Sequence, residues 1–178
     1  MTKNTKTDPT AAPRKILSGH PSCGVIFDDQ NEHSRALLTG FLKAAREFPL
    51  ATEILGLRHK KNDLPPVDVP HTESLSSDFN FLGWIKNDSR TAVFLRKPYE
   101  VLLDLSLAQT GRMKKILSKV RADFKVAVNK PSDSFDFRFE MPLSSQENPE
   151  AFSQLLACLN KIDLSHPQTC FIKPTKKC

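Results

Sequence analysis

Twice along the chain, a short apolar run ending in acidic or hydroxyl residues leads into a helical apolar stripe and then into a second apolar run. This repeated order constrains the fold more than any other feature. The first copy opens at Cys23-Gly24-Val25-Ile26-Phe27-Asp28-Asp29, which reads as a buried strand whose C-terminal end reaches the surface. Leu37, Leu38, Phe41, Leu42, Ala45 and Phe48 then recur at helical spacing over residues 33–48, and Pro49 lies just beyond. Gly40 interrupts that stripe at a cost of about 1 kcal/mol relative to Ala. Residues 52–57 form the next strand. The second copy runs from Tyr99-Glu100-Val101-Leu102-Leu103-Asp104-Leu105-Ser106 to a helix with Met113, Ile116, Leu117 and Val120 on its core face. It ends in a strand over residues 123–128. Strand, helix, strand with short joints is a βαβ unit, and its two strands are expected to be parallel.

The fold class that follows is α/β, with a Rossmann-like, mostly parallel sheet flanked by helices. Residues 134–141 alternate, with Phe135, Phe137, Phe139 and Met141 against Asp136, Arg138 and Glu140. That is the signature of an edge strand with one exposed face, for which an antiparallel direction is open. Asn148-Pro149 opens a last helix with Phe152, Leu155, Leu156, Leu159 and Ile162 as its buried stripe. Between the two units, Pro65, Pro66 and Pro70 exclude a regular helix, so residues 58–78 read as a loop with extended pieces. Residues 79–85 are expected to hold a short strand, with Trp84, the only tryptophan, packed against the sheet. Residues 21–164 form a single Rossmann-like domain between a basic tail over 1–20, with a short ordered turn at 14–17, and a second basic tail over 165–178.

Composition narrows the function classes. The 178 residues carry 26 Lys and Arg against 20 Asp and Glu, a net charge of +6, which biases the chain toward anionic partners. Much of the excess lies in the tails, at Lys3, Lys6, Arg14, Lys15, Lys173, Lys176 and Lys177. A denser patch comprises Arg112, Lys114, Lys115, Lys119 and Arg121. No apolar run approaches the ~20 residues of a membrane-spanning helix, so no membrane association is expected. The first residues have no signal-peptide core, and a cytoplasmic location is expected. The four cysteines, Cys23, Cys158, Cys170 and Cys178, form no C-x-x-C pair and suit a reducing compartment. The sequence also lacks G-x-G-x-x-G, a phosphate-binding G-x-x-x-x-G-K-[ST] and G-x-S-x-G. The five histidines, His20, His33, His59, His71 and His166, have no Ser or Cys at telling spacing. Neither a metal, a cofactor nor a catalytic residue is expected.

In open α/β sheets, ligands sit beyond the C-terminal strand ends where strand order reverses. For a strand order 3-2-1-4-5 with the alternating strand outside, the first and fourth strands are neighbours. Asp28, Asp29, Asp104 and Ser106 then line one rim. Thr110 caps the following helix, whose N-terminus faces the same rim with Arg112 as a charged clamp for an anion. These six residues are the candidate ligand site. Lys114, Lys115, Lys119 and Arg121 are the candidate nucleic-acid face.

The segment Pro98-Tyr99-Glu100-Val101-Leu102-Leu103-Asp104-Leu105 and the run from Ile116 through Ala122-Asp123-Phe124-Lys125-Val126-Ala127-Val128 resemble an uncharacterised family of short bacterial proteins with a single Rossmann-like domain of unknown function. Phe27-Asp28-Asp29, Gly83-Trp84-Ile85-Lys86 and Leu159-Asn160-Lys161-Ile162 fit the same pattern. Ala127 stands where that family carries Gly. The likeness spans residues 22–163, and its motifs are structural. The same strand–helix–strand unit is faintly similar to one half of heptosyltransferase-like glycosyltransferases, but this chain lacks the second, sugar-nucleotide-binding half. The expected function is a non-catalytic cytoplasmic domain acting through a protein or assembly partner. The alternatives are a small-ligand site for a sugar phosphate or nucleotide, on a degenerate glycosyltransferase-like domain, and weak sequence-independent nucleic-acid binding. The alternating strand also offers an edge to a second copy, as in a homodimer.

Overall fold

A computed structural model describes residues 15–17, 19–58, 67–107, 110–130, 135–142 and 146–162. Residues 1–14 of the expected tail over 1–20 and all of the one over 165–178, with His59, His166, Cys170 and Cys178, lie outside the described residues. The apolar runs form strands β1 (Ser22–Asp28), β2 (Ala51–Leu57), β3 (Thr72–Ser74), β4 (Pro98–Asp104), β5 (Arg121–Val128) and β6 (Phe137–Phe139). Between them lie helices α1 (Glu32–Ala45), α2 (Arg90–Arg96), α3 (Gly111–Lys119) and α4 (Pro149–Leu159). The sheet has the order β3-β2-β1-β4-β5-β6, and every neighbouring pair is parallel. Strand order reverses between β1 and β4, whose register sets Ile26 opposite Asp104.

Strand alternation sorts the core into two layers. Val25, Phe27, Val101, Leu103, Leu105, Val126 and Val128 face α1 and α4, while Ile26, Leu55, Leu57 and Leu102 face α2 and α3. The helix starts follow local chemistry. Asn31, Ser89, Thr110 and Asn148 each accept a backbone N–H of the first turn, and Pro149 occupies the first position of α4, where no donor is needed. Gly40 finds its reason here. A Cβ at that position would lie 2.5 Å from the Gln146 carbonyl oxygen and 3.1 Å from the Phe152 ring, so glycine lets the segment leading into α4 approach α1.

Four features depart from the sequence reading. β3 lies within the segment read as a loop with extended pieces, and it is a paired strand that three residues without periodicity could not announce. α2 was not expected either; its seven residues span two turns, and its buried face is Thr91, Ala92, Phe94 and Leu95. The edge strand β6 runs parallel to β5. It pairs only with Val126 to Val128, so the chain doubles back by about two residues, some 7 Å, and needs no crossover helix. Residues 79–85 make a hairpin rather than a sheet strand, closed by an antiparallel bridge between Phe79 and Ile85, and Trp84 does not pack on the sheet. Ile16 and Leu17 belong to the core, with the Ile16 N–H donating to the Ile162 carbonyl at 3.3 Å.

Candidate functional site

The strand ends come first, since the fold places a ligand there. The tips of β1 and β4 are neighbours, as the strand order requires. Ser34, in the first turn of α1, welds them together. Its hydroxyl donates to the Leu105 carbonyl at 2.9 Å and accepts the Asp28 N–H at 2.8 Å. The Asp28 carboxylate accepts the Gln30 N–H. Asp104 is completely buried. It accepts the N–H and hydroxyl of Ser106 at 2.9 and 2.5 Å, and its other oxygen receives Lys130 Nζ at 2.7 Å. Lys130, itself buried, also donates to Ser106 Oγ at 2.8 Å. This triad joins the ends of β4 and β5 and satisfies the charge it buries.

Asp29 turns the other way along the rim. Arg35 donates to its carboxylate at 2.8 Å, and Arg58, just past β2, lies 3.3 Å from its second oxygen and 3.3 Å from Glu73 of β3. His71 completes this corner. One ring nitrogen, Nδ1, hydrogen-bonds the Val69 carbonyl at 2.8 Å, which makes it the protonated one, and Nε2 is buried without a hydrogen-bond partner among the described residues. Asp29, His71 and Glu73 offer three ligand atoms within 4.8 Å of one another, the donor set of a divalent cation. Arg58 stands against both carboxylates, and together with Arg35 on Asp29 it already balances their charge.

Thr110 and Arg112 do different work. Thr110 Oγ1 accepts the Met113 N–H and caps α3. Arg112 donates to Ser76 Oγ at 2.8 Å and lies 5.3 Å over the Phe79 ring, at the base of the hairpin. The structure therefore brings Asp104 and Ser106 together, sets Asp28 and Asp29 on the adjoining tip with different partners, and turns Arg112 toward the hairpin. Sequence reasoning missed Lys130, Arg35, Arg58, His71 and Glu73. A signal existed for Lys130: a cation two residues past an apolar strand, at the same end of the sheet as a buried acid. Arg35 lay in plain view six residues beyond Asp29, close to that strand tip across the joint into α1.

The second region lies on the opposite layer, over α2 and α3. The hairpin tip is built by a turn in which the Gly83 N–H donates to the Asn80 carbonyl, with Gly83 at φ 72°, where glycine avoids steric strain. The tip points apolar groups outward: Phe81 is 96% exposed, Leu82 60% and Trp84 55%. Val93 of α2 is exposed as well. Lys115 of α3 donates to the Gly83 carbonyl at 2.9 Å, and its ammonium lies 5.4 Å from the Trp84 ring centre. Lys119 lies 5.6 Å from the same ring. Lys114 is exposed on the same helix. Beside the hairpin base, an open groove of about 320 Å³ is lined by Ile85, Asn87, Ala92, Leu95, Arg96, Lys119 and Arg121. Lys119 and Arg121 of the basic patch thus meet at one groove, while Lys115 fastens the hairpin to α3.

Among the described residues, no helix is long and apolar enough to cross a membrane. The chain belongs to a family of unknown function, DUF6913, whose family model matches residues 1–162. No curated protein matches it, and nothing in these comparisons supports the heptosyltransferase likeness.

Proposed function

We propose that this domain is a non-catalytic docking module that engages a protein partner through the hairpin over residues 79–85. The observation that carries this reading is the exposure of Phe81, Leu82 and Trp84, three large apolar side chains within four residues. Scattered exposed apolar residues need no explanation, but a projecting cluster of this kind marks an interaction site. Leaving Phe81 in water forgoes about 1.5–3 kcal/mol that burial would return, and a partner surface recovers it. Two further observations support the reading. At the strand ends, Lys130, Arg35, Arg58 and Ser34 take up the carboxylates and hydroxyls that a small ligand would use. Both edges of the sheet are three-residue strands, which give an incoming strand little to pair with, so the docking element is the hairpin rather than an edge.

The test places a photo-crosslinking amino acid at position 82, and separately at exposed Lys43 on α1 as a control, in cells. The species trapped specifically at position 82 is then purified and titrated against wild-type protein and the F81S/L82S variant. Loss of binding by at least about tenfold, with unchanged thermal stability, is expected for an apolar anchor removed from an interface centre. Equal trapping at both positions, or equal binding by the variant, refutes the reading. A second reading, single-strand nucleic-acid binding, is favoured by the lysines beside Trp84, an arrangement of cations around a stacking ring. Binding to a labelled oligonucleotide at low salt that disappears in a Trp84→Ala variant would establish it instead.

A further inference from the structure

We infer that the groove between the hairpin base, α2 and the start of β5 receives an acidic segment of the partner that carries one apolar anchor residue. This rests on the docking reading above and assigns the chemistry of what is docked. The floor of the groove is apolar, from Ile85, Ala92 and Leu95, and its rim is cationic, from Arg96, Lys119 and Arg121. No acidic side chain lines it. Among the described residues, none of the three cations is paired with a carboxylate: Arg96 donates to the Asn87 carbonyl, Lys119 faces the Trp84 ring, and Arg121 is exposed at the start of β5. Three cations held around an apolar floor without counter-charges form a complement to carboxylates flanking an aliphatic or aromatic side chain. The two guanidinium forks suit carboxylates in particular, since each can give two parallel hydrogen bonds.

The shape selects among anions. A volume of about 320 Å³ lies at the small end of the roughly 300–1,000 Å³ of ligand pockets, which fits a side chain or two of an extended segment. No aromatic ring lines the floor, so a nucleobase would find no face to stack on there. A concave groove also leaves a flat membrane surface in contact with its rim alone. A peptide supplies both halves of the match, with the anchor on Leu95 and Ala92 and the carboxylates on the rim. The exposed Phe81 and Leu82 then make a second, separate contact with the folded body of the same partner.

The experiment pans a random-peptide display library on the full chain, with counter-selection on the charge-reversed K119E/R121E variant. Recovered peptides are synthesised with a fluorescent label and titrated by anisotropy. Acidic peptides bearing one large apolar residue are expected. Their affinity should fall about tenfold or more on K119E/R121E and with rising salt. Replacing their apolar residue by Gly should weaken them further. Wild-type thermal unfolding of the variant guards against misfolding. Recovery of no peptides, of peptides without acids, or of peptides that bind the variant equally overturns the inference. So does steeper dependence on Lys119 and Arg121 for a thymidine oligonucleotide, or for vesicles of phosphatidylcholine and phosphatidylserine. If F81S/L82S abolishes binding of the crosslinked partner while K119E/R121E binds it as well as wild type, the docking reading stands and the groove assignment fails.

Discussion

Replacing Lys130 by Met leaves the length of the side-chain stem and removes its charge. In the native chain Lys130 Nζ lies 2.7 Å from Asp104 Oδ2, with side-chain exposures of 1% and 0%. The variant therefore strands a carboxylate whose remaining donors among the described residues are the N–H and hydroxyl of Ser106. Breaking one side of a buried pair costs about 3–5 kcal/mol, because the remaining charge keeps its desolvation penalty and loses its compensation. For a chain of this size that corresponds to a fall in melting temperature of about 6–20 °C. The double variant K130M/D104L removes both charges and leaves chiefly the Ser106 N–H and hydroxyl in need of partners, at about 1–3 kcal/mol. The two single changes would together predict more than twice that loss. Urea unfolding of wild type, K130M, D104L and the double variant forms a thermodynamic cycle, and a coupling of at least about 3 kcal/mol is expected. A K130M cost below about 1 kcal/mol, the range of solvent-exposed pairs, would show that water reaches these groups. Additive single and double effects would refute the argument equally.

Three other outcomes follow from the same geometry. Gly40→Ala should gain about 1 kcal/mol of helix propensity and lose more through overpacking against the Gln146 carbonyl and Phe152, a net destabilisation of about 1–2 kcal/mol in chemical unfolding; a stabilised variant would show that the segment before α4 yields. Thr91→Val removes the hydroxyl that links Ser74 Oγ and Asp78 Oδ2 at 2.7 and 2.6 Å, and should cost about 1–3 kcal/mol, with the hairpin amides exchanging faster in hydrogen-exchange measurements. Burial pushes the Cys23 thiol up from its ordinary 9.0 to about 12, so it should resist iodoacetamide at neutral pH until the chain unfolds. Because the folded state holds that proton more tightly, its contribution to stability is complete below pH 9.0 and is lost as pH rises toward about 12. Burial, and then the Glu53 carboxylate, push the Tyr99 hydroxyl up as well, so alkaline destabilisation should be flatter in Cys23→Ala but not abolished.

The hairpin and the rim differ in how far the sequence announced them. Phe79 to Ile85 reads as one more apolar stretch, and its aromatic residues suggest burial. Only the placement of α2 and α3 beneath it turns Phe81 outward and brings Lys115 and Lys119 against Trp84. At the rim, Asp28, Asp104 and Ser106 were legible as strand tips because each apolar run ends there in polar groups, although folding buries Asp104 and Ser106 completely. Their partners were not, since Lys130 is 26 residues from Asp104 in sequence and meets it only across the β4–β5 ladder. Arg58 reaches Glu73 only once β3, a strand of three residues without a periodic signal, has paired with β2.

Local pattern was enough to establish the two βαβ units, the caps Thr110 and Asn148, and the core faces of α1, α3 and α4. Each depends on periodicity or on a backbone group within a few residues, and such information is written in the order of the amino acids. The sequence alone therefore determined that the chain stacks helices on a parallel sheet with its acidic strand tips at one end. Which cations neutralise those tips, which apolar residues are left in water and which basic side chains converge on one groove were decided by the tertiary structure. Each of these depends on distances between segments remote in sequence, and a Coulombic or apolar contact comes into being only when folding closes those distances.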